Sequence, residues 1–254
     1  MPSFSSVCKI VKEAGSFLYN RELSERKKEK SSADYVTETD IAVQTFLREK
    51  LGKLCPNIAF LGEEQEAFHW DFQKPVWVLD PVDGTTNLIH GFQHSAVSLA
   101  LVESNQPRMG IVYNPYSREM FTARRFGGAF LNGERIWVSG NEYLSDSIIS
   151  IGTSPGNRAG SSETFSRMKR IFENCQDIRR MGAASLELCY VACGRLDGFF
   201  EEHLKPWDYA AGMLVVEEAG GRALNRYGRM LTLRPDGEVL ATNGRITEEI
   251  LKFL

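Results

Sequence analysis

The residues with the clearest capacity for chemistry lie between Val76 and Phe92, in the run Val-Trp-Val-Leu-Asp-Pro-Val-Asp-Gly-Thr-Thr-Asn-Leu-Ile-His-Gly-Phe. Val76 to Leu79 reads as a buried strand whose apolar run ends on Asp80. Pro81 has no N–H and a fixed φ, so the strand is expected to stop there and a turn to follow. A turn over Asp80 to Asp83 would bring its end Cα atoms within about 7 Å. At about 6 Å and an effective dielectric near 20, two carboxylates repel by roughly 3 kcal/mol, which implies a compensating cation. Gly84 permits a left-handed backbone, and Thr85-Thr86 lead into a helix start. Orphan N–H groups at such a start form an anion site. A cation site and an anion site adjoining in one loop point to metal-assisted chemistry on a phosphate.

Two further acidic positions follow a similar design. Glu63 comes directly after the apolar Ile58 to Leu61 and Gly62, and Asp208 opens a helix beginning at Pro206. Oxygen ligands without thiolate or imidazole select a hard cation, Mg²⁺ or Mn²⁺. Four carboxylates exceed the needs of one magnesium ion that keeps its waters, but suit two or three ions sharing a bridging Asp. Read one by one, other residues have plainer roles. Asp40 reads as the N-cap of a helix, and Glu63 as a solvated loop acid. Lys30 closes a charged run from Arg21 that reads as a mobile surface loop, although basic loops also serve as lids over phosphate sites. Two rival motifs fail. The Asp-x-Asp-Gly-Thr loop of haloacid-dehalogenase-like phosphatases needs acids two apart, not three. An EF-hand needs an acid at its twelfth position. His90 and His94 lack further nitrogen or sulfur ligands nearby and read as structural or surface residues.

The elements that must position these residues follow from periodicity. Phe4, Val7, Ile10, Val11, Ala14, Phe17 and Leu18 recur at helical spacing, as do Val43, Phe46, Leu47, Leu51 and Leu54 behind Asp40. Ser95 to Val102, Gly110 to Tyr113 and Glu119 to Ala123 read as antiparallel strands. A hairpin is expected to join 129–131 to 136–138 through Asn132-Gly133, a type I′ pair. From about Ser145 the pattern alternates: strand 147–151, helix 163–173, strand 177–180, a helix opening at Gly182-Ala183-Ala184-Ser185, strand 197–201, helix 206–219, strands near Ala223 and 239–241, and a last helix from Thr247. Small residues at the 182–185 helix start let a ligand approach the backbone. The expected organisation is a mixed half over 1–143 and an α/β half over 144–254, forming one compact unit.

The 254 residues suit one large domain or two closely joined halves. A net charge of −3 argues against a nucleic-acid-coating surface. Five scattered cysteines without a C-x-x-C pair fit a reducing compartment. No apolar run approaches a membrane span and no signal peptide is visible, so a cytoplasmic protein is expected.

Trp77-Val78-Leu79-Asp80-Pro81-Val82-Asp83-Gly84-Thr85-Thr86-Asn87, Trp207-Asp208-Tyr209-Ala210-Ala211-Gly212 and Glu217-Glu218-Ala219-Gly220-Gly221 together resemble the inositol monophosphatase family. Gly62-Glu63-Glu64 and Val36-Thr37-Glu38-Thr39-Asp40 fall where that family has its other active-site segments, and the resemblance spans essentially the whole chain. It implies a layered α-β-α-β-α sugar-phosphatase fold, Mg²⁺ dependence, lithium inhibition and a homodimer acting on a small phosphorylated substrate. Carried over by position, it makes Asp80 the ligand bridging two magnesium ions. Glu63 and the Val82 carbonyl belong to the first ion, and Asp83 and Asp208 complete the second. Asp40 and Thr85 would orient the attacking water, while the N–H groups of Gly84 and Thr85 hold phosphate. Glu201 would meet substrate hydroxyls beside Ala184, and Lys30 would sit in a mobile loop near a weaker metal. The implied substrate is inositol 1-phosphate, with fructose 1,6-bisphosphate, histidinol phosphate, nucleotide phosphates and NADP as alternatives. Some bacterial relatives also suggest a regulatory role with RNA polymerase partners.

Overall fold

The computed structural model describes residues 3–31, 34–65 and 71–254. The chain runs through α1 (Phe4–Ala14), α2 (Arg21–Glu25), β1 (Lys27–Ser31), β2 (Asp34–Thr37), α3 (Glu38–Leu54), β3 (Ala59–Gly62), β4 (Val76–Asp83) and α4 (Thr85–His90). It continues through β5 (Ala96–Glu103), β6 (Gln106–Asn114), β7 (Glu119–Arg124), β8 (Gly128–Leu131), β9 (Glu134–Arg135), β10 (Ile148–Ile151), α5 (Ser161–Phe172), β11 (Asp177–Arg179) and α6 (Ala184–Ala192). β12 (Gly198–Leu204), α7 (Pro206–Glu218), β13 (Arg222–Leu224), β14 (Gly237–Thr242) and α8 (Thr247–Ile250) complete it.

Strands β3 to β9 form one sheet in sequence order, parallel only between β3 and β4. A second sheet has the order β11-β10-β12-β14-β13, with β11, β10 and β12 parallel and β14 antiparallel to both its neighbours. Side-chain alternation along each strand assigns the layers. In β4, Trp77 and Leu79 face the cluster that holds Val7 and Val11 of α1 and Val43, Leu47 and Leu51 of α3. Val76 and Val78 face the opposite way, into the cluster containing α6 and α7. In the second sheet Phe199, Val239 and Ala241 join that same central cluster. Phe200, Leu240 and Ile149 face Ile171 of α5 and Ile250 of α8 instead. The order of layers is therefore α-β-α-β-α, as the resemblance implies. α6 and α7 lie between two sheets and are apolar nearly all round: Tyr209 to Val216 are buried without exception.

Three local expectations are corrected. The run from Arg21 is not a loop: it folds into α2 and β1, and β1 pairs antiparallel with β2, Lys28 opposite Val36. Its charges are satisfied outward, by pairs such as Arg21–Glu25, and inward by Lys30. Asn132 and Gly133 adopt the positive φ values of a type I′ turn, 52° and 88°, but the returning strand is only Glu134–Arg135; the Ile136 N–H still reaches the Ala129 carbonyl at 3.0 Å, and the chain then leaves the sheet by Val138. There Val138 N–H donates to the Ala219 carbonyl beyond α7 instead. Third, β4 does not end at Pro81 but continues to Asp83 through a bulge, in which Asp80 pairs with Ser98 and Asp83 with Ala96. A bulge is one of the few sheet positions that tolerates a residue without an N–H.

Leu214 is fully buried between the two sheets. Leu214→Ala should lower unfolding stability by about 3–5 kcal/mol, the usual cost of emptying a leucine site in a rigid core. The check is a shifted urea midpoint with an unchanged m value.

Candidate active site

The bulge in β4 decides the site's geometry. Asp80 and Asp83 are three apart, so in a regular strand they would face opposite sides of the sheet. The extra residue reverses the parity, and both acids face the side of their partners Ser98 and Ala96, toward α6 and α7. The Ser98 hydroxyl donates across that space to the Trp207 carbonyl. Asp80 Oδ1 accepts the Val82 N–H at 2.9 Å. Asp83 Oδ2 accepts both the N–H of Ser185, at 2.7 Å, and its hydroxyl. Gly84 follows with φ 86°, and a Cβ there would stand 2.9 Å from the His94 carbonyl and 3.1 Å from that of Gly182. Only glycine fits. Thr85 then starts α4, its hydroxyl 2.9 Å from the Val82 carbonyl and 3.4 Å from Asp40 Oδ1.

Asp40 and Asp208 arrive by the same device. Each is the third residue of its helix, and each turns Oδ2 back onto the N-cap N–H, that of Thr37 at 2.8 Å and that of Lys205 at 2.6 Å. Asp40 is thus not the N-cap expected from sequence; Thr37 is, and Asp40 closes a capping box with it. Glu63 follows β3, and its N–H extends the ladder to the Leu79 carbonyl at 3.1 Å. Gln44 of α3 clamps the next residue, accepting the Glu64 N–H at 3.0 Å and donating to its carbonyl at 3.1 Å. Lys30, at the end of β1, reaches Glu63 at 2.7 Å and Glu64 at 2.8 Å.

Glu201 comes from β12, on the same face as Phe199, and its Oε1 accepts the Ser154 N–H at 3.0 Å. It occupies the space a side chain at 152 would need, since a Cβ on Gly152 would lie 1.9 Å from its carboxyl carbon. Ala184 is buried at the first turn of α6. Behind it, Glu187 is wholly buried and its Oε1 accepts the N–H groups of Met181 and Gly182, at 2.8 and 3.2 Å, and the Ser150 hydroxyl. The Asn87 amide ties the other side of that loop, donating to the His94 and Met181 carbonyls at 2.8 Å each. Sequence reasoning gave no role to Gln44, Asn87, Gly152, Ser185 or Glu187. The small residues at 182–185 were the only local signal for any of them. The rest depend on contacts between residues far apart in the chain. His94 is held between the rings of Phe92 and Tyr190, and His90 is exposed.

The electrostatics are those of acids withdrawn from water next to one another. Burial raises Asp80 well above the ordinary carboxylate range, and Glu63, Asp83 and Asp208 push it further. Burial and then Glu63 do the same to Asp208. Burial raises Asp83 to about 6, with the Ser185 hydrogen bonds holding it back. It raises Asp40 to about 7 and, with Glu187 adding to it, Glu201 to about 8. Lys30 moves the opposite way in its chemistry: burial disfavours its ammonium, but Glu63 and Glu64 outweigh that and hold its pKa above the usual value. Among the described residues no three acidic, histidine or cysteine side chains stand, as placed, in a group that could hold a metal ion. The fit to a hard cation rests on the donor set, oxygen only and with unbalanced negative charge.

These shifts fix the pH dependence of the metal-free protein. Asp40, Asp83 and Glu201 bind protons more tightly folded than unfolded, so their contribution is complete below the unfolded carboxylate range, about pH 4. It is lost as pH rises through about 6 to 8. In excess EDTA, the melting temperature should fall from pH 5.5 to pH 8.5, and Glu201→Gln should flatten the upper part of that fall. A metal-free protein that gains stability over this range would contradict the assignment.

The match to known proteins is extensive. The inositol monophosphatase family matches residues 4–254. An inositol-1-monophosphatase of Rhizobium meliloti (strain 1021) is 40% identical over 225 residues, covering 89% of this chain and 84% of that protein. Nus factor SuhB of Pasteurella multocida (strain Pm70) is 36% identical over 253 residues, 98% of this chain and 94% of the relative. The crystal structure of extragenic suppressor protein suhB from Bartonella henselae superposes with a TM-score of 0.89 at 33% identity, covering 98% of this chain and 96% of that one. With the layered fold and nearly every residue accounted for, the chain belongs to the inositol monophosphatase family.

Proposed function

We propose that this protein is a Mg²⁺-dependent phosphate-monoester hydrolase whose substrate is inositol 1-phosphate. The observation that carries the reading is the group of mutually repelling carboxylates, Asp80 and Asp83 buried and Asp208 and Glu63 half-buried, beside the Gly84–Thr85 helix start. Asp80, Asp83, Asp208 and Glu63, with the Val82 carbonyl, would hold the magnesium ions. A third, weaker ion would lie near Lys30, and Mn²⁺ suits the same oxygens. When bound, the ions would lower the pKa of the attacking water and stabilise the leaving oxygen in an in-line displacement.

The chain's own residues do the rest. The backbone N–H groups of Gly84 and Thr85 would hold phosphate oxygens. The Thr85 hydroxyl, near Asp40 Oδ1, would orient the water and pass its proton toward that carboxylate. Burial brings Asp40 to about 7, where it can accept a proton near neutral pH. Glu201, at about 8, is largely protonated at neutral pH and so offers both a donor and an acceptor to substrate hydroxyls. Ala184 leaves them room. The two halves, 1–143 and 144–254, would each contribute to one site, in a homodimer working in the cytoplasm. Among the described residues no helix is long and apolar enough to cross a membrane.

The SuhB relatives, one of them called a Nus factor, favour a second reading in which the chain binds a macromolecular partner such as RNA polymerase. A phosphate-release screen separates the possibilities. Inositol, fructose, histidinol and nucleotide phosphates and NADP are offered with Mg²⁺, with and without Li⁺. Turnover should require Mg²⁺, fall with Li⁺ and be greatest with inositol 1-phosphate. Asp83→Asn should reduce it to background while circular dichroism stays unchanged. Wild-type-like activity in Asp83→Asn would sink the assignment, and partner binding that survives this substitution would support the second reading.

A further inference from the structure

Asp83 Oδ2 is held by two donors of one residue, the Ser185 N–H at 2.7 Å and the Ser185 hydroxyl. A carboxylate oxygen has two lone-pair positions, so these donors use the full accepting capacity of Oδ2. Both residues are shut away from water, Ser185 completely and Asp83 at 7% exposure, so solvent does not replace a missing donor readily. Ser185 is itself fixed. It sits in the first turn of α6, and the loop before it is pinned by Glu187 from inside the helix and by Asn87 from the Gly84 loop. Without the hydroxyl, the backbone N–H groups of Ser185 and Ala184 would still bear on the carboxylate, but one lone pair of Oδ2 would be left open.

We infer that the Ser185 hydroxyl is a positioning residue for the cation site: it makes Asp83 a one-oxygen ligand, with only Oδ1 free to face a metal ion. The inference rests on the metal-dependent reading above. Its consequence is that metal affinity is set partly by α6, an element that supplies no carboxylate ligand. Hydrogen-bonded partners that orient ligating side chains commonly change metal affinity by about 10–100-fold when removed. A hydroxyl contributing only to folding would instead lower stability equally with and without metal.

The test is magnesium titration by calorimetry, with thermal melts in EDTA and in saturating Mg²⁺. In Ser185→Ala the Mg²⁺ dissociation constant should rise about tenfold or more. The Mg²⁺-induced increase in melting temperature at a fixed subsaturating concentration should shrink. The Mg²⁺ concentration for half-maximal phosphate release should rise in step, while kcat at saturating Mg²⁺ is mostly kept. Ser185→Thr, which retains the hydroxyl, should restore affinity; if threonine is too large for the buried site, the alanine variant decides alone. An alanine variant that binds Mg²⁺ within twofold of wild type overturns the inference, even if it melts lower. Failure of the wild-type protein to bind Mg²⁺ at all would instead overturn the metal-dependent reading and this inference with it.

Discussion

The structure depends on one local irregularity, the bulge that carries Pro81. Without it, strand alternation would send Asp80 and Asp83 to opposite faces of the first sheet, one into the α1–α3 layer and one toward α6 and α7. With it, Val82 faces the α1–α3 layer while both acids face inward. The site exists because a strand changes parity between its two acids. Everything else brought to that place, from α3, β3, α6, β12 and α7, comes to meet a pair of carboxylates already fixed in the sheet.

The arriving elements share a logic. Asp40, Asp208 and Asp83 each have one carboxylate oxygen bound by backbone N–H groups at a helix start. Helix starts have spare donors, and a partly positive end, so they are the cheapest places in a fold to bury an acid. The same helices carry the core. The body of α7 is buried on every side between the sheets while its first turn holds Asp208. Site and core are therefore opposite ends of the same elements, and a displacement of the packing in the central layer is transmitted to the acids.

The parts of this arrangement legible in the sequence are those encoded locally. Period-two and period-3.6 patterns specify the strands and helices, and Asn132-Gly133 specifies its turn. The acidic loop shows its chemistry through residue types alone. Where local rules misled, the cause was tertiary. Pro81 signals a strand end, but the pairing with β5, which resumes at Asp83 opposite Ala96, carries β4 past it. Arg21 to Lys30 has the composition of a solvated loop, yet pairing with β2 and the acids Glu63 and Glu64 order its second half. Gln44 and Glu187 leave no local trace because each acts on a segment remote from it or on backbone groups that any sequence possesses, and Ser185 shows only as one of the small residues of a helix start. Gly152 is legible only once Glu201 is known to pass over it.

Those failures of local rules concentrate around the site, and there is a physical reason. Two neighbouring carboxylates at an effective dielectric near 20 repel by about 3 kcal/mol, as much as the full burial of one or two aliphatic side chains returns. Asp40, Asp80, Asp83, Asp208 and Glu201 are all raised by burial, so the metal-free site opposes the fold that contains it. An ordinary stretch of sequence would have been selected to avoid this, whereas the proposed cation site would retain it because a bound cation would reverse the sign of the same interactions. The fold tolerates the strain because the opposing terms lie close by. Hydrogen bonds at the helix starts satisfy the carboxylates one oxygen at a time, Lys30 offsets Glu63, and the two-sided burial of α6 and α7 holds the backbone still. A site of this kind is least stable where it is most nearly ready to bind, and its readiness is visible as buried charge waiting for a counter-charge.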